Sequence, residues 1–550
     1  QNETYLLDLT VSTAEKEIHY YTRIMWADTN HAGDMLDLAE NFTRKSLNYD
    51  EAKELVSYLE TNPGEDNSSL GNVSIKASFD HLTWDGLGTE LEGEPQITLQ
   101  LYDGIMGQVQ VEYNVWVTDS TGNRSLVRTE DNFTMKWNDK RIYLMNYNRY
   151  ANEMFNGEQK NFAGKRILLG ISDAKQIKAQ KSENSRYILF RVNGNLWRYD
   201  QHDKKALCMF TFADGSNDDV RADYGKHNVK VLAASDEGDV DFLVYGYMNR
   251  DVHEGEVGIA VYHYGAELNQ VEEELFIPMK SSYEYLKEDM ELLSYVTRDD
   301  MLYVILEDDL YQIDIKQKSF QIVKEKLIKD RYVVSKSQAS LAWMDQEEEN
   351  ACTQITVMSL EQGDTYTIQA QSGQKIKALG FMNEDLVYGI ANDSDIVTDN
   401  AGNTVFAMNT VRIEQFGGEV VKEHHEDNVW VSNVKLQEGL LELERVQWEN
   451  GAYVAISSDH IMNNLQIREE QITLRLITTE RKATQIGLDF EKSVTSKNVL
   501  YLASNLEDQE TYNILSMELT RTDSNIYYVY AKGVLDSTWS RVCDAINRAD

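Results

Sequence analysis

Four short apolar runs separated by polar segments make up the stretch from Leu292 to Glu325. The runs are rich in Val, Ile, Leu, Tyr and Phe, and they are Leu292–Thr297, Met301–Leu306, Leu310–Ile315 and Phe320–Glu325. Strands of this length joined by loops this short predict an up-and-down antiparallel meander. A lone four-stranded sheet leaves both faces uncovered, so a meander of this kind needs similar sheets on either side of it.

The same pattern recurs between residues 161 and 532, with a period of roughly 40 to 50 residues. Seven meanders can be drawn, and they begin at Leu168, Val229, Leu292, Val333, Ile376, Val434 and Gln485. The first contains Asn193-Gly194, the dipeptide of a type I′ hairpin. The sixth is predicted to end with Ile472–Ile477, and the seventh to run through Val499–Ser504 and Tyr512–Leu519 to Ile526–Tyr530.

This spacing is typical of β-propeller blades, and closing a ring of blades hides the sheet edges. We therefore predict a mainly β chain whose residues 161–532 form a β-propeller of about seven four-stranded blades. A strand from the N-terminal β region is a candidate for closing the ring. A pair of β-sandwiches is the structural alternative.

Residues 1–160 do not follow the blade pattern and are predicted to form an N-terminal β-rich domain with helices near 33–60. Apolar residues recur at helical spacing from Gly33 to Phe42, and again over Tyr49–Leu59, where Asp50 is the expected N-cap. From Asn72 onwards the period falls to two, which predicts strands in a sandwich-like arrangement.

Residues 533–550 are expected to begin a further, helical segment that starts at Asp536 or Ser537. Lys532-Gly533-Val534-Leu535 followed by Trp539–Asp550 resembles a junction in large surface proteins of gut Firmicutes. In that family a membrane-anchored propeller ectodomain precedes a papain-like domain of the C39-peptidase type. The resemblance implies that any Cys/His catalytic residues lie beyond Asp550. Cys543 is then expected to be a packed core thiol rather than a nucleophile.

The chain carries 92 acidic and 53 basic residues, which gives a net charge of −39. Because nucleic acids and anionic lipid headgroups bind through Lys and Arg, this balance argues against both as partners. It is consistent with a highly soluble protein that attracts cations or a basic partner. Cys208, Cys352 and Cys543 are far apart and odd in number, which argues against a disulfide framework or a Cys-type zinc site.

The densest group of metal-capable side chains is Glu423-His424-His425-Glu426, which is expected to be a polar turn between blades. Adjacent histidines on a strand point to opposite faces, so they cannot both bind one ion without a bend. Two loops rich in oxygen ligands are considered as calcium sites, namely Asp214–Asp219 and Asn392–Asp395 with Asp399 and Asn400. Neither loop matches the EF-hand pattern. Solvated blade loops are the expected alternative.

The sequence contains no GxSxG, HExxH, P-loop or strand-to-helix GxGxxG motif, and His81, His227 and His263 have no partner that spacing identifies. We therefore assign no catalytic, cofactor-binding or metal-binding residue. Asn-x-Ser/Thr sequons, among them those that start at Asn41, Asn67, Asn72, Asn123 and Asn132, are interpreted as accidental in a bacterial protein.

The function expected from these observations is an extracellular binding module of a bacterial cell-surface protein, which presents a propeller face to a protein or glycan. A membrane anchor is expected before Gln1, where the chain looks trimmed. The first alternative is an enzyme, either a propeller glycosidase or lyase with carboxylates in a central channel, or the regulatory portion of a cysteine peptidase. The second alternative is a structural spacer.

Overall fold

The computed structural model describes most of the 550-residue chain. The residues outside its description are 1–2, 13–16, 27–30, 121, 174–176, 183, 214–219, 347–349, 399–403, 438, 463–472, 479–483, 491, 497, 503–512, 518, 520–526, 532–533, 540–541 and 550. The described chain is mainly β, with many sheets of four strands. No helix within the described ranges combines the length and the apolar character needed to cross a membrane.

The N-terminal region combines a hairpin, a helix and a five-stranded sheet. Its elements are β1 (Glu3–Ser12), β2 (Glu17–Trp26), α1 (Ala32–Ser46), β3 (Asn72–Ser74), α2 (Phe79–Leu82), β4 (Gly88–Tyr102), β5 (Met106–Thr118), β6 (Arg124–Asn138) and β7 (Arg141–Glu153). β1 pairs only with β2 among the described strands, whereas the other strands form one sheet in the order β3-β7-β6-β5-β4.

Helix α1 covers one face of this N-terminal sheet. Met35, Ala39 and Phe42 lie one turn apart on the buried side of α1, as the apolar spacing predicts. The Phe42 ring packs 5.4 Å from Phe133 and 4.8 Å from Tyr147, measured between ring centroids. The predicted sandwich is therefore wrong, because a helix rather than a second sheet covers this face.

The second predicted helix, Tyr49–Leu59, is a 3-10 helix over Glu51–Tyr58. Asp50 makes no side-chain cap. The side-chain oxygen of Asn48 instead accepts the backbone N–H groups of Asp50 and Glu51, so the cap residue lies two positions earlier than expected.

Short strands follow in meanders from residue 162 onwards. In chain order they begin with β8 (Phe162–Ala163) and β9 (Arg166–Gly170). Sheet 2 consists of β10 (Lys178–Lys181), β11 (Tyr187–Val192), β12 (Asn195–Asp200) and β13 (Lys205–Phe210). Sheet 3 consists of β14 (His227–Ala234), β15 (Val240–Tyr247), β16 (Val257–Gly265) and β17 (Gln270–Met279).

Sheet 4 is the stretch in which the pattern is clearest. It consists of β18 (Ser294–Val296), β19 (Met301–Leu306), β20 (Asp309–Asp314) and β21 (Ser319–Lys324), and it follows helix α3 (Tyr283–Leu292). The predicted antiparallel meander is confirmed here. The predicted Asn193-Gly194 turn in sheet 2 is also confirmed, since both residues have positive φ and the flanking Val192 and Asn195 pair.

Three further sheets continue the series. Sheet 5 consists of β22 (Tyr332–Val334), β23 (Ser340–Met344), β24 (Gln354–Ser359) and β25 (Thr365–Gln369). Sheet 6 consists of β26 (Gln374–Met382), β27 (Asp385–Asn392), β30 (Thr410–Glu414) and β31 (Val420–His425), with a hairpin of β28 (Ile396–Thr398) and β29 (Thr404–Phe406) inserted. Sheet 7 consists of β32 (Trp430–Gln437), β33 (Leu440–Glu449), β34 (Ala452–Ala455) and β35 (Asp459–Met462), where β34 and β35 both pair with β33.

Sheets 2 to 6 each pack both of their faces against neighbouring sheets. In β19, Leu302 and Val304 pack toward sheet 3, whereas Tyr303 and Ile305 pack toward sheet 5. This follows from the two-residue period of a strand and explains why the apolar runs are nearly continuous. Comparable clusters join sheets 1 and 2, 2 and 3, 5 and 6, and 6 and 7.

Sheet 1 is built from both ends of this region. Strands β36 (Thr473–Thr478) and β37 (Thr484–Asp489) pair with β9 and β8 in the order β36-β37-β9-β8. Leu488 lies opposite Ile167, and both are fully buried. The assignments of Leu168–Ile171 to the first meander and Ile472–Ile477 to the sixth are therefore wrong, because a sequence pattern does not reveal pairing across some 320 residues.

The predicted seventh meander is also wrong beyond residue 489, since a C-terminal strap replaces it. The strap consists of two described segments, residues 498–502 and 513–517. In the first, β38 (Asn498–Tyr501) pairs in parallel with β13, and in the second, Ile514 forms a parallel bridge with Phe276 of β17. Residues 503–504, 512, 518 and 526 of the predicted strands lie outside the described residues. A hairpin of β39 (Tyr527–Ala531) and β40 (Val534–Trp539) follows, then helix α4 (Val542–Ala549). The final helix thus begins after the predicted Ser537, because β40 pairs with β39 up to Trp539.

Candidate functional site

A cleft of about 550 Å³ lies between sheets 4 and 5 and is the candidate functional site. One wall is the end of β21 and the segment after it, and the other is the end of β23 and its following loop. The lining residues are Ile322–Ile328, Arg331 and Trp343–Gln346. This volume falls within the range of roughly 300–1,000 Å³ that is usual for ligand sites. We call it the Arg331 cleft.

The apolar part of the Arg331 cleft belongs to the core between the two sheets. Leu327, Trp343 and Met344 are almost completely buried, and Leu327 and Trp343 belong to the apolar cluster shared by sheets 4 and 5. Backbone hydrogen bonds fix both walls, since the Met344 N–H donates to the Arg331 carbonyl at 2.8 Å. The cleft is therefore held by rigid elements rather than formed by long loops alone.

Asp345 at the mouth of the cleft is fully occupied by donors from its own sheet. Its carboxylate accepts hydrogen bonds from Trp343 Nε1 at 3.0 Å, Gln354 Nε2 at 2.7 Å and Thr356 Oγ1 at 2.8 Å. The ammonium of Lys324 lies 3.8 Å from the same carboxylate. Asp345 and Lys324 thus neutralise one another, and this network orients the Trp343 ring.

Arg331 and Lys326 are cations without an ion-pair partner among the described residues. In addition, Arg331 Nε is a buried donor with no hydrogen-bond partner within the described structure. A buried donor left unsatisfied costs roughly 1–3 kcal/mol, and an arginine binds a carboxylate through paired N–H groups. With Lys324, Glu325 and Asp345 included, the described residues that line the cleft are cationic by one charge, in a chain of net charge −39.

The Arg331 cleft lies at the end of the sheets that holds the second-to-third strand loops and the linkers between sheets. Strands that alternate in direction place these two kinds of connection at the same end. The Asn193-Gly194 turn of sheet 2 lies at this end, and its Asn193 Oδ1 accepts the Phe155 N–H at 3.0 Å. The chain leaving the N-terminal sheet thus contacts this face at sheet 2, two sheets away from the cleft.

No His, Cys, Ser or Thr lines the Arg331 cleft, as far as the described residues show. The cleft therefore offers an apolar floor, an aromatic ring and unpaired cations, but no nucleophile with an adjacent base. Such a set of groups is suited to binding an anionic ligand that carries an apolar part.

The group Glu423-His424-His425-Glu426 lies mostly on a strand, not in a turn as predicted. β31 includes residues 423 to 425, and His425 Nδ1 lies 2.8 Å from the Asn409 carbonyl oxygen. His424 Nδ1 lies 3.7 Å from Asp459, and burial lowers the pKa of His424. Three metal-capable side chains do not converge here or elsewhere in the described residues.

The structure describes only part of the two loops that were considered as calcium sites. Asp214–Asp219 and residues 399–400 lie outside the described residues. At the second loop, Asp395 accepts a hydrogen bond from Asn392 Nδ2 at 2.8 Å within a short 3-10 helix, Asp393–Asp395.

The isolated histidines serve local contacts. His81 is buried, with Nδ1 at 2.9 Å from Asp85 and Nε2 at 2.8 Å from the Ser69 carbonyl oxygen. His227 Nδ1 lies 3.1 Å from the Tyr224 carbonyl oxygen, and His263 Nδ1 lies 2.7 Å from Asp241 Oδ1.

Two of the three cysteines are buried thiols. Burial raises the pKa of Cys208 and of Cys352, which makes both poor nucleophiles. Cys543 belongs to α4, but its side chain is outside the description.

Two titratable groups near α3 have pKa values that are shifted far from their ordinary values. Burial raises the pKa of Asp289 to about 7, and the Glu307 N–H donates to its carboxylate at 3.1 Å. Burial lowers the pKa of Lys230 to about 8, while its ammonium donates to Ser294 Oγ at 2.6 Å and to the Met290 carbonyl at 3.3 Å. Neither group lines the Arg331 cleft, and Lys230 links the first strands of sheets 3 and 4 as a structural cation.

Sequence reasoning did not select Arg331, Lys326 or Trp343. The only signal available was a basic segment, Lys324 to Arg331, placed between two meanders of an acidic chain. Whether a cation is paired depends on residues far away in sequence, so the absence of a partner becomes visible only in three dimensions.

No family model and no curated protein matches this chain. Among solved structures it is similar to the tricorn protease at 11% identity, over 73% of this chain and 48% of that one, with a TM-score of 0.26. It is similar to Porphyromonas gingivalis dipeptidyl peptidase 4 at 10% identity, over 68% and 56% of the two chains, with a TM-score of 0.28.

A third similar structure is the β-propeller domain of the Trilobed protease from Pyrococcus furiosus, at 12% identity over 63% of this chain and 93% of that one, with a TM-score of 0.22. The chain spans only about half the length of the tricorn protease and dipeptidyl peptidase chains. With every TM-score below 0.5, these similarities support no statement about function.

Proposed function

We propose that this chain is a binding module and that the Arg331 cleft binds a ligand carrying a carboxylate beside an apolar group. The observation that supports this most is the orphaned Nε donor of Arg331, in a cleft where the neighbouring Asp345 is already satisfied. A bidentate carboxylate would supply the missing acceptor, and the apolar part would lie against Trp343 and Met344.

The platform in this proposal is a closed propeller of seven blades. Support comes from the six apolar interfaces that join sheets 1 to 7 in sequence and from sheet 1, which unites strands from both ends of the region. The described residues contain no apolar cluster between sheets 7 and 1. Cryo-electron microscopy class averages with a complete ring would support closure, and an open arc would contradict it.

A cell-surface location is part of the same proposal. Its support is the resemblance of Lys532–Asp550 to the junction in anchored surface proteins and the strong acidity that favours solubility. Protease shaving of intact cells that express the full-length gene product tests it. Protection of the protein in intact cells, with digestion after lysis, would contradict the surface location.

Ligand-observed NMR tests the binding proposal with N-acetyl-L-leucine, its amide N-acetyl-L-leucinamide, and glucuronate as an acidic sugar. We expect the leucine carboxylate to show saturation transfer and the amide to show none. Arg331→Gln should abolish the signal, because Gln offers neither the charge nor the paired donors. Arg298→Gln is the matched control, since this arginine lies in the turn between β18 and β19, outside the cleft, with a side chain that is 91% exposed.

Equal binding of acid and amide, or binding by Arg331→Gln at the wild-type level, would contradict the proposal. A stronger signal from glucuronate than from the leucine derivative would keep the cleft but assign it to glycans. Conversion of any probe to a new compound would favour the enzyme alternative.

A further inference from the structure

The outer edges of sheets 2 and 3 both pair in parallel with the C-terminal strap, sheet 2 through a strand and sheet 3 through a single bridge. On sheet 2, residues Asn498–Tyr501 pair in parallel with Lys205–Cys208. On sheet 3, the Phe276 N–H donates to the Asn513 carbonyl and the Leu515 N–H donates to the Phe276 carbonyl, both at 2.8 Å. The fold therefore places parallel backbone pairing on the outer strand of two successive sheets, as a strand on sheet 2 and as one bridge on sheet 3.

The next sheet in the series has the same edge without a described neighbour. β21 is the outermost strand of sheet 4, and no described strand pairs with its outer side. Most residues of the covered strands β13 and β17 are buried, whereas the first four residues of β21 are exposed. Phe320 and Ile322 are 39% and 44% exposed, which is unusual for an edge that natural proteins protect with charge or cover.

The direction of β21 relates this edge to the Arg331 cleft. β21 runs from Ser319 to Lys324, and the cleft begins at Ile322 and continues along the segment that follows. A strand added in parallel ends near the carboxyl end of its neighbour, so its own carboxyl end would arrive at the cleft. An antiparallel strand would instead bring an ammonium group toward Arg331.

The exposed edge of sheet 6 shows why the cleft matters to this argument. β31 is also an outer strand, and its Val420 and Val421 are 42% and 44% exposed. However, β31 is followed by Glu426-Asp427, whose negative charges would repel a terminal carboxylate. Of these two exposed edges, that of sheet 4 has the charge complementarity to a terminal carboxylate.

We infer that the occupant is an extended peptide segment of a partner protein, which adds to β21 as a parallel fifth strand and places its free C-terminal carboxylate on Arg331. This inference rests on the proposed function and narrows its ligand from a carboxylate to a peptide C-terminus. Main-chain hydrogen bonds to β21 provide affinity, and the apolar cleft floor selects the last side chain.

An array of random hexapeptides attached through their amino ends tests this inference, with one copy bearing free C-terminal carboxylates and the other bearing amides. We expect the purified chain to be retained at least about tenfold more strongly on the free-acid copy, because only that copy can pair with Arg331. Arg331→Gln should reduce retention on the acid copy to the level of the amide copy.

Phe320→Asp tests strand addition separately, because Phe320 is on β21 but does not line the Arg331 cleft. Val420→Asp on β31 is its control, since the two side chains are 39% and 42% exposed. We expect Phe320→Asp to lose about tenfold in retention and Val420→Asp to lose nothing. Circular dichroism melts confirm that both variants are folded. If Phe320→Asp fails to fold, resynthesis of retained peptides with alternate N-methylated amides gives the same test on the wild-type chain.

The outcomes separate this inference from the proposal on which it rests. Equal retention on the acid and amide arrays overturns the inference, as does wild-type retention by Phe320→Asp or of N-methylated peptides. If N-acetyl-L-leucine still binds in an Arg331-dependent way, the proposed function survives that failure. If N-acetyl-L-leucine also fails to bind, the inference and the proposed function are both contradicted.

Discussion

The N-terminal sheet and the sheets of the meander region place their charged groups differently. Helix α1 covers one face of the N-terminal sheet, whose four longest strands have 13 to 15 residues, and a buried polar cluster lies beneath the helix. Sheets 2 to 6 have strands of 3 to 10 residues and cover one another with apolar side chains. Among their charged groups, Lys324, Lys326 and Arg331 line the cleft between sheets 4 and 5.

The buried cluster of the N-terminal region is internally satisfied in most of its groups. The Asp131 carboxylate accepts hydrogen bonds from Thr43 Oγ1 at 2.6 Å and from Tyr147 OH at 3.2 Å. Arg149 donates to the carbonyls of Leu82 at 2.9 Å and His81 at 3.0 Å. Its guanidinium also lies 4.3 Å above the Trp84 ring.

Two arginines summarise the difference between the regions. Both carry one buried Nε without a partner, but Arg149 is fully buried and makes two carbonyl hydrogen bonds, whereas Arg331 lines a cleft and has neither. Arg149 is therefore tied to the fold, and Arg331 is available to a ligand. Substitutions of the two arginines test whether Arg149 is structural and Arg331 binds a ligand.

The largest expected effect is that of Arg149→Met. The substitution leaves Asp131 without its nearest buried cation and two carbonyls without donors, which should cost about 3–5 kcal/mol of unfolding free energy. Chemical denaturation followed by circular dichroism measures it. Arg124→Met, at an exposed arginine paired with Glu90, is the control and should change stability by about 0.5 kcal/mol or less. Equal effects of the two variants would show that the buried cluster is not structural.

Leu488→Ala is expected to be the next largest. Leu488 is fully buried in sheet 1 between strands that come from the two ends of the region. Removing its side chain should cost about 2–4 kcal/mol. Leu476 lies on the neighbouring β36 but is 48% exposed, so Leu476→Ala should cost much less. A small effect at Leu488 would argue that sheet 1 contributes little to holding the region together.

The sequence predicted the sheets whose strands are consecutive and missed the pairings that join distant segments. Leu292–Glu325 alternates apolar side chains toward two neighbours, and this local pattern is sufficient to identify sheet 4. Leu488 pairs with Ile167, and Leu500 pairs with Leu207. The local sequence does not predict these pairings, because the pattern of a strand does not identify the strand with which it pairs. The Arg331 cleft was missed for the same reason.

A smaller effect is expected from Asp289→Asn, as a dependence on pH. Burial, together with the carboxylates of Asp308, Glu288 and Glu307, raises the pKa of Asp289 to about 7 from an ordinary value of 3.8. The folded state therefore binds an additional proton between these values, so the stability that it contributes is present below pH 4 and is lost as the pH rises through 7.

Asparagine cannot ionise but still accepts the Glu307 N–H, so Asp289→Asn should be more stable than the wild type above pH 7 by about 1–2 kcal/mol. Denaturation curves recorded at about one-unit intervals from pH 5 to pH 8 should show that the unfolding free energy of the variant depends less on pH than that of the wild type. Glu288→Gln is the companion variant, because it removes one of the carboxylates that raise the pKa of Asp289 while leaving Asp289 in place. A parallel pH dependence of variant and wild type would exclude Asp289 as the titrating group.

The smallest change in stability is expected from Arg331→Gln, and it completes the comparison with Arg149. Arg331 has no described ion pair, and its buried Nε donor is unsatisfied, so its removal should change the unfolding free energy by no more than about 0.5 kcal/mol, and in either direction. The same variant should lose carboxylate binding, which separates a binding residue from a structural one. A loss of stability as large as that of Arg149→Met would instead mean that the guanidinium supports the interface of sheets 4 and 5. The cleft would then be a packing feature of that interface, and its unpaired charge would need another explanation.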